Sequence, residues 1–263
     1  MTSNEAQAQA RAAQFRTNHD LGDAPLGDVF EVVHRALGVD VCSIEAAHAE
    51  HGLLMKHDIS GRACIAVGVT EHPMRQRSSV VHELGHLLAG DLDAGARPAP
   101  GVRDPAEVQA DAFARHLLLP LSAVKGLPKM EVADTSVLSD VVQAFGVSPA
   151  LAAIQMRDAG RIRSEVCAAW QTMTTAKLAA RHGWLDRYDR MVQDSLQPRP
   201  PQGLLSRAVA AYLQGVLGIG ELAAWYGRPI DELQDQLGFP EPAADTEDPW
   251  DSSASIFPTD PPS

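Results

Sequence analysis

No apolar run in this 263-residue sequence reaches the ~18 residues that a membrane-spanning helix requires. The opening stretch, MTSNEAQAQARAAQF, lacks the apolar core of a signal peptide. Together these absences set the expectation of a cytoplasmic protein. Cysteine is scarce: Cys42, Cys64 and Cys167 are too few and too scattered for a disulfide framework, and read as small buried hydrophobes. A cationic surplus is missing as well. The net charge is -12, and half of it lies in residues 241–263, which hold six acids and no Lys or Arg. That balance gives no electrostatic footprint for nucleic acid. Lysine is much rarer than arginine and alanine is abundant, the bias of a GC-rich bacterial genome. No repeat of fixed period is present.

The first part of the chain mixes helical and strand signals. Residues 3–18 read as a polar helix, and 26–37 have helical periodicity ending at Gly38. VDVCSI (39–44), HGLLMKHD (51–58) and RACIAVGV (62–69) read as strands, with Ser60-Gly61 as a turn. A helix over 76–89 stops at Gly90, a Gly/Pro-rich loop covers 91–103, and another helix starts at Asp104-Pro105 and ends at Pro120. From about 126 every signal is helical: 138–160 as helix-turn-helix, then 164–183, 183–196, the stiff connector 197–202, and a second helix-turn-helix pattern over 204–238. Beyond Pro240 the composition is that of a disordered acidic tail. Three segments result: 1–125 with the strands, an all-α 126–240, and the tail 241–263.

The chemistry is concentrated in His82-Glu83-Leu84-Gly85-His86. On a helix, residues four apart share a face, so both imidazoles can grip one zinc ion with Glu83 beside it as general base. Roughly one sequence in fifty of this composition carries HExxH by chance, so the motif needs a third ligand. A histidine six residues after His86 would complete one known arrangement, but position 92 is leucine and position 89 is alanine. The other arrangement takes a glutamate from a later helix. Glu107 on the 104–119 helix fills that place, with Asp111 one turn on to accept the free N–H of a ligand histidine. Ala110, Phe113, Ala114 and Leu117 form an apolar stripe beside those carboxylates.

RSSVVHELGHLLAG (77–90) followed by EVQADAFARHLLLP (107–120) resembles the ImmA/IrrE family of metallo-endopeptidases. Glu107, Ala110, Asp111, Phe113, Ala114, Leu117, Leu118 and Pro120 match the family's second motif, and Arg77 its basic residue ahead of HExxH. The usual aromatic residue after that arginine is replaced by Ser78. The resemblance covers about 15–160. It implies an α+β zincin-like metallopeptidase domain, with a small mixed sheet packed on the HExxH helix, followed by an all-α helical domain. It also implies zinc held by His82, His86 and Glu107, with Glu83 as the catalytic acid/base. The implied substrate is a helix-turn-helix repressor of the XRE type, encoded separately, whose cleavage releases stress-response or mobile-element genes.

Other expectations accompany this one. The strand 62–69 is expected as an edge that pairs with an extended substrate. His57, His72 and His116 are candidates for stabilising an oxyanion. Trp170, Trp184, Trp225 and Tyr212 are expected in the core, and Trp250 and Phe257 lie in the acidic tail. The 138–160 segment offers only Arg157 on its second helix, so protein packing is favoured there over DNA readout. Two further readings stand beside the peptidase: a non-proteolytic, antitoxin-like binding protein on the same fold, and a DNA-binding regulator with a structural zinc.

Overall fold

Several helices of this chain begin at a side chain that accepts a backbone N–H from their own first turn. Asp28 accepts from Phe30 at 2.9 Å, Asp104 from Ala106 at 2.8 Å, Asp134 from Ser136 at 2.8 Å and Ser148 from Leu151 at 3.2 Å. Pro105 and Pro149 follow two of these caps, where a missing N–H costs nothing. In the computed structural model, residues 3–45, 52–56, 61–91, 104–127 and 134–240 are described.

The elements run α1 (Ser3–Asn18), α2 (Val29–Leu37), β1 (Asp40–Ile44), β2 (Gly52–Lys56), β3 (Ala63–Gly68), α3 (Pro73–Ala89), α4 (Pro105–Leu118) and α5 (Leu121–Lys125). Then come α6 (Thr135–Phe145), α7 (Pro149–Asp158), α8 (Ser164–Gln171), α9 (Thr175–Arg181), α10 (Leu185–Ser195), α11 (Gln202–Leu213), α12 (Ile219–Tyr226) and α13 (Ile230–Leu237). The strands form one mixed sheet in the order β1-β3-β2, with β1 parallel and β2 antiparallel to β3. The segment expected as an edge, 62–69, is therefore the central strand. Its alternation reports which side chains are buried but not which strands flank it. The strand at the edge beside the motif helix is β2.

Helix α3 packs on β2 and β3, α4 crosses α3, and α1 lies on α4. The α3–α4 crossing is close because it is built from small residues. A methyl group on Gly85 would stand 3.1 Å from the Phe113 ring and 3.2 Å from Ala110 Cα. Two arginines tie the helices down through carbonyls. Buried Arg16 of α1 donates to Leu117 O at 2.9 and 2.6 Å, to Gly22 O at 2.7 Å and to Ala24 O at 3.0 Å. Arg77 of α3 donates to Gly146 O, Gly27 O and Leu26 O at 3.2, 2.6 and 2.8 Å. Each guanidinium satisfies carbonyls that helix or loop ends leave without partners.

One buried cluster runs from Ala8 through Ile65, Leu84, Phe113, Leu138 and Trp170 to Tyr188. Residues on both sides of position 125 belong to this cluster, and the chain divides into compact units at 203/204. The unit from 204 has a core of its own made of Ala208, Tyr212, Leu222, Ala223 and Leu233. Trp170, Trp184 and Tyr212 are buried as expected, but Trp225 is 46% exposed. Leu222 and Ala223 are the buried residues of α12, and position 225, though one turn from Leu222, lies nearly opposite Ala223 and so at the margin of that face. The stretch 164–183 is two helices, because Thr174 caps a new one by accepting from Lys177 N. No single helix among the described residues is long and apolar enough to cross a membrane. The tail with Trp250 and Phe257 lies outside the described residues, as do His57 and most of the 91–103 loop.

Candidate metal centre

His82 and His86 lie one turn apart on α3, on the face that looks toward the first turns of α4. The α3–α4 crossing at Gly85 and Ala110 brings Glu107, in the first turn of α4, opposite them. His82 Nε2 is 3.1 Å from Glu107 Oε2, His86 Nε2 is 3.4 Å from Glu107 Oε1, and the two Nε2 atoms are 3.0 Å apart. These three are the group of described residues whose ligand atoms converge closely enough to hold one metal ion. A tetrahedral zinc with bonds of about 2.0–2.1 Å separates its ligand atoms by about 3.3 Å, and the three separations bracket that value.

The outward nitrogens are engaged too. His82 Nδ1 meets Asp111 Oδ1 at 3.0 Å, and His86 Nδ1 meets Asp91 Oδ2 at 2.8 Å. An ionised carboxylate only accepts, so each Nδ1 carries the proton and each Nε2 presents a lone pair. Two such lone pairs and a carboxylate oxygen within 3.4 Å repel one another unless a cation lies among them. The donor set therefore fits a divalent metal. In the metal-free protein the same demand falls on a proton: burial lowers the His82 pKa, but Asp111, Glu107 and Glu83 more than offset that and hold it above the usual histidine value.

Glu83 projects from the same helix toward β2. Its carboxyl pKa is raised, first by burial and also by Glu107, against the opposing pull of His82 and His86. Gly52 of β2 leaves the room for it, since a methyl group there would sit 2.8 Å from Glu83 Cγ. Sequence reasoning missed Gly52 and Asp91. Neither belongs to a motif, and each matters only through what lies across from it. The cluster opens on a cleft of about 1090 Å³ between β2, α3 and α4, lined by Leu53, Ser79, Pro105 and Gln109 among others.

The histidines expected to stabilise an oxyanion are not brought here. His72 precedes α3, ten residues or about 15 Å along the axis from His82. His116 is buried on α4 against Glu5, at 2.7 Å, and Gln155. Neither is among the residues that line the cleft. His57 lies outside the described residues.

A histidine pair on one helix, a glutamate from the next and a buried acid beside them, set under a small mixed sheet, define a candidate metallohydrolase. Residues 35–157 match the IrrE N-terminal-like domain, Peptidase_M78, and this match supports membership of the ImmA/IrrE family. The match contains the sheet, α3, α4 and every residue of the cluster. The matched domain is that of a metallopeptidase family, which supports a peptidase role and a bound metal. A search of curated proteins finds no match to the chain.

Proposed function

We propose that this protein is a zinc-dependent endopeptidase that cleaves a helix-turn-helix repressor of the XRE type, so releasing the genes it silences. The observation that carries the reading is the convergence of His82 Nε2, His86 Nε2 and Glu107 on one point beside Glu83, within an open cleft. His82, His86 and Glu107 would hold the ion, leaving a fourth position for water or substrate. A zinc bound there supplies Lewis acidity toward water and a peptide carbonyl. Glu83 accepts the proton of the attacking water and delivers it to the leaving amine. Its raised pKa suits a group that must hold that proton between the two transfers. Asp111 holds the His82 ring by its outward nitrogen, so that the inward one stays free. β2 is an edge strand of the sheet, and its main chain can receive an extended segment of substrate. That geometry favours loops and linkers over helices as cleavage sites.

The test is co-expression with XRE-type helix-turn-helix repressors from the same genome, beginning with any encoded next to this gene. Wild type should yield repressor fragments, whereas Glu83→Gln should keep its zinc and lose cleavage by about 10²–10⁴-fold, the usual worth of a positioned general base. Full cleavage by Glu83→Gln would remove Glu83 from the mechanism. An intact repressor in a stable complex with wild type would favour the non-proteolytic reading.

A further inference from the structure

We propose that Asp91 is a positioning residue of the metal centre, holding the His86 ring with Nε2 turned to the ion; the proposal rests on reading His82, His86 and Glu107 as metal ligands. Asp91 is five residues from His86, a spacing at which two side chains on one α-helix do not meet. The contact exists because α3 ends at Gly90 in the left-handed conformation, φ 77° and ψ 22°, with its N–H turned back to His86 O and Leu87 O. That reversal returns residue 91 over the last turn of the helix and places Asp91 Oδ2 at 2.8 Å from His86 Nδ1. Any side chain at position 90 would strain this backbone, so glycine here serves the brace as well as the helix end.

The two histidines are thus held by different parts of the chain. His82 is held from across the α3–α4 crossing by Asp111, and His86 by the end of its own helix. The second brace is the tighter of the two: 2.8 Å against 3.0 Å, with the Asp91 side chain 30% exposed and that of Asp111 49%. Water competes less for the more sheltered carboxylate. Both charges make their imidazole a better donor to the metal.

The experiment is zinc affinity of the purified full chain, read by competition with a chromophoric chelator, with the melting temperature of each metal-free variant alongside. Asp91→Ala should weaken zinc binding about 10–100-fold, at least as much as Asp111→Ala, with the metal-free melting temperature unchanged. Asp91→Asn keeps an acceptor oxygen and removes the charge, and should lose less than Asp91→Ala. Affinity within twofold of wild type for Asp91→Ala, alongside a large loss for Glu107→Ala, overturns the role of Asp91 and leaves the metal centre standing. If Glu107→Ala also binds as wild type does, the ligand reading itself falls and the proposal with it. If Asp91→Ala proves unstable without metal, Asp91→Asn decides: a wild-type affinity there overturns the charged brace.

Discussion

The α3–α4 crossing and the three-helix unit from residue 204 are both made of helices packed on one another, yet they are built to different tolerances. At the crossing, Leu84, Phe113, Leu117 and Leu118 are buried within a cluster that extends from α1 to α10, and Gly85 lets two backbones approach to contact distance. In the C-terminal unit a core of five buried residues is seen among the described residues, while Val216, Trp225, Ile230 and Phe239 are exposed. This contrast decides where the chemistry can reside. Ligand atoms held to a few tenths of an ångström need a frame whose helices cannot slide, and close packing of small residues supplies it.

Substitutions on the two sides sharpen this contrast. The largest effect is on turnover, the loss of cleavage in Glu83→Gln with zinc retained. Next come core truncations. Leu117→Ala, at a position 1% exposed, should cost about 2–5 kcal/mol in urea unfolding and weaken zinc binding. Leu222→Ala removes as much side chain from the small unit, and should lower that unit's own melting while zinc affinity is unchanged. A shared loss of zinc affinity would erase the distinction. The smallest pair concerns glycine. Gly85→Ala forces a methyl group against the Phe113 ring and the Ala110 backbone, and should cost about 1–3 kcal/mol. Gly220→Ala meets nothing nearer than Ile230 Cδ1 at 4.0 Å and should gain roughly 0.5 kcal/mol, at the low end for a helical glycine because it lies in a first turn. Equal signs for the two would contradict the packing described for the crossing.

Much of the local structure is legible in the sequence because its signals are local. Asp104-Pro105 marks the start of α4, Gly38, Gly90 and Gly146 stand in the left-handed conformation after α2, α3 and α6, and the three strands fall within a residue or two of their apolar runs. The convergence of Glu107 and Asp111 on His82 and His86 is also foreseeable, because both pairs sit at helical spacing on adjacent helices. Strand order is not legible: β3 lies between β1 and β2, although β2 precedes it in the chain, and side-chain alternation carries no record of neighbours. Asp91 and Gly52 are hidden for a related reason. One reaches His86 only through the left-handed turn at Gly90, and the other makes room for Glu83 only across the gap between a strand and a helix. Helical spacing of large aromatics points Trp225 inside, but in a helix of eight residues the buried face centres between Leu222 and Ala223, and Trp225 lies at its margin, 46% exposed.

Metal content of the purified chain tests the central claim most directly. Wild type should carry one zinc per chain, and Glu107→Ala should lose it or bind it far more weakly while keeping its fold. An unchanged zinc stoichiometry and affinity in Glu107→Ala would contradict the three-ligand centre on which the account rests.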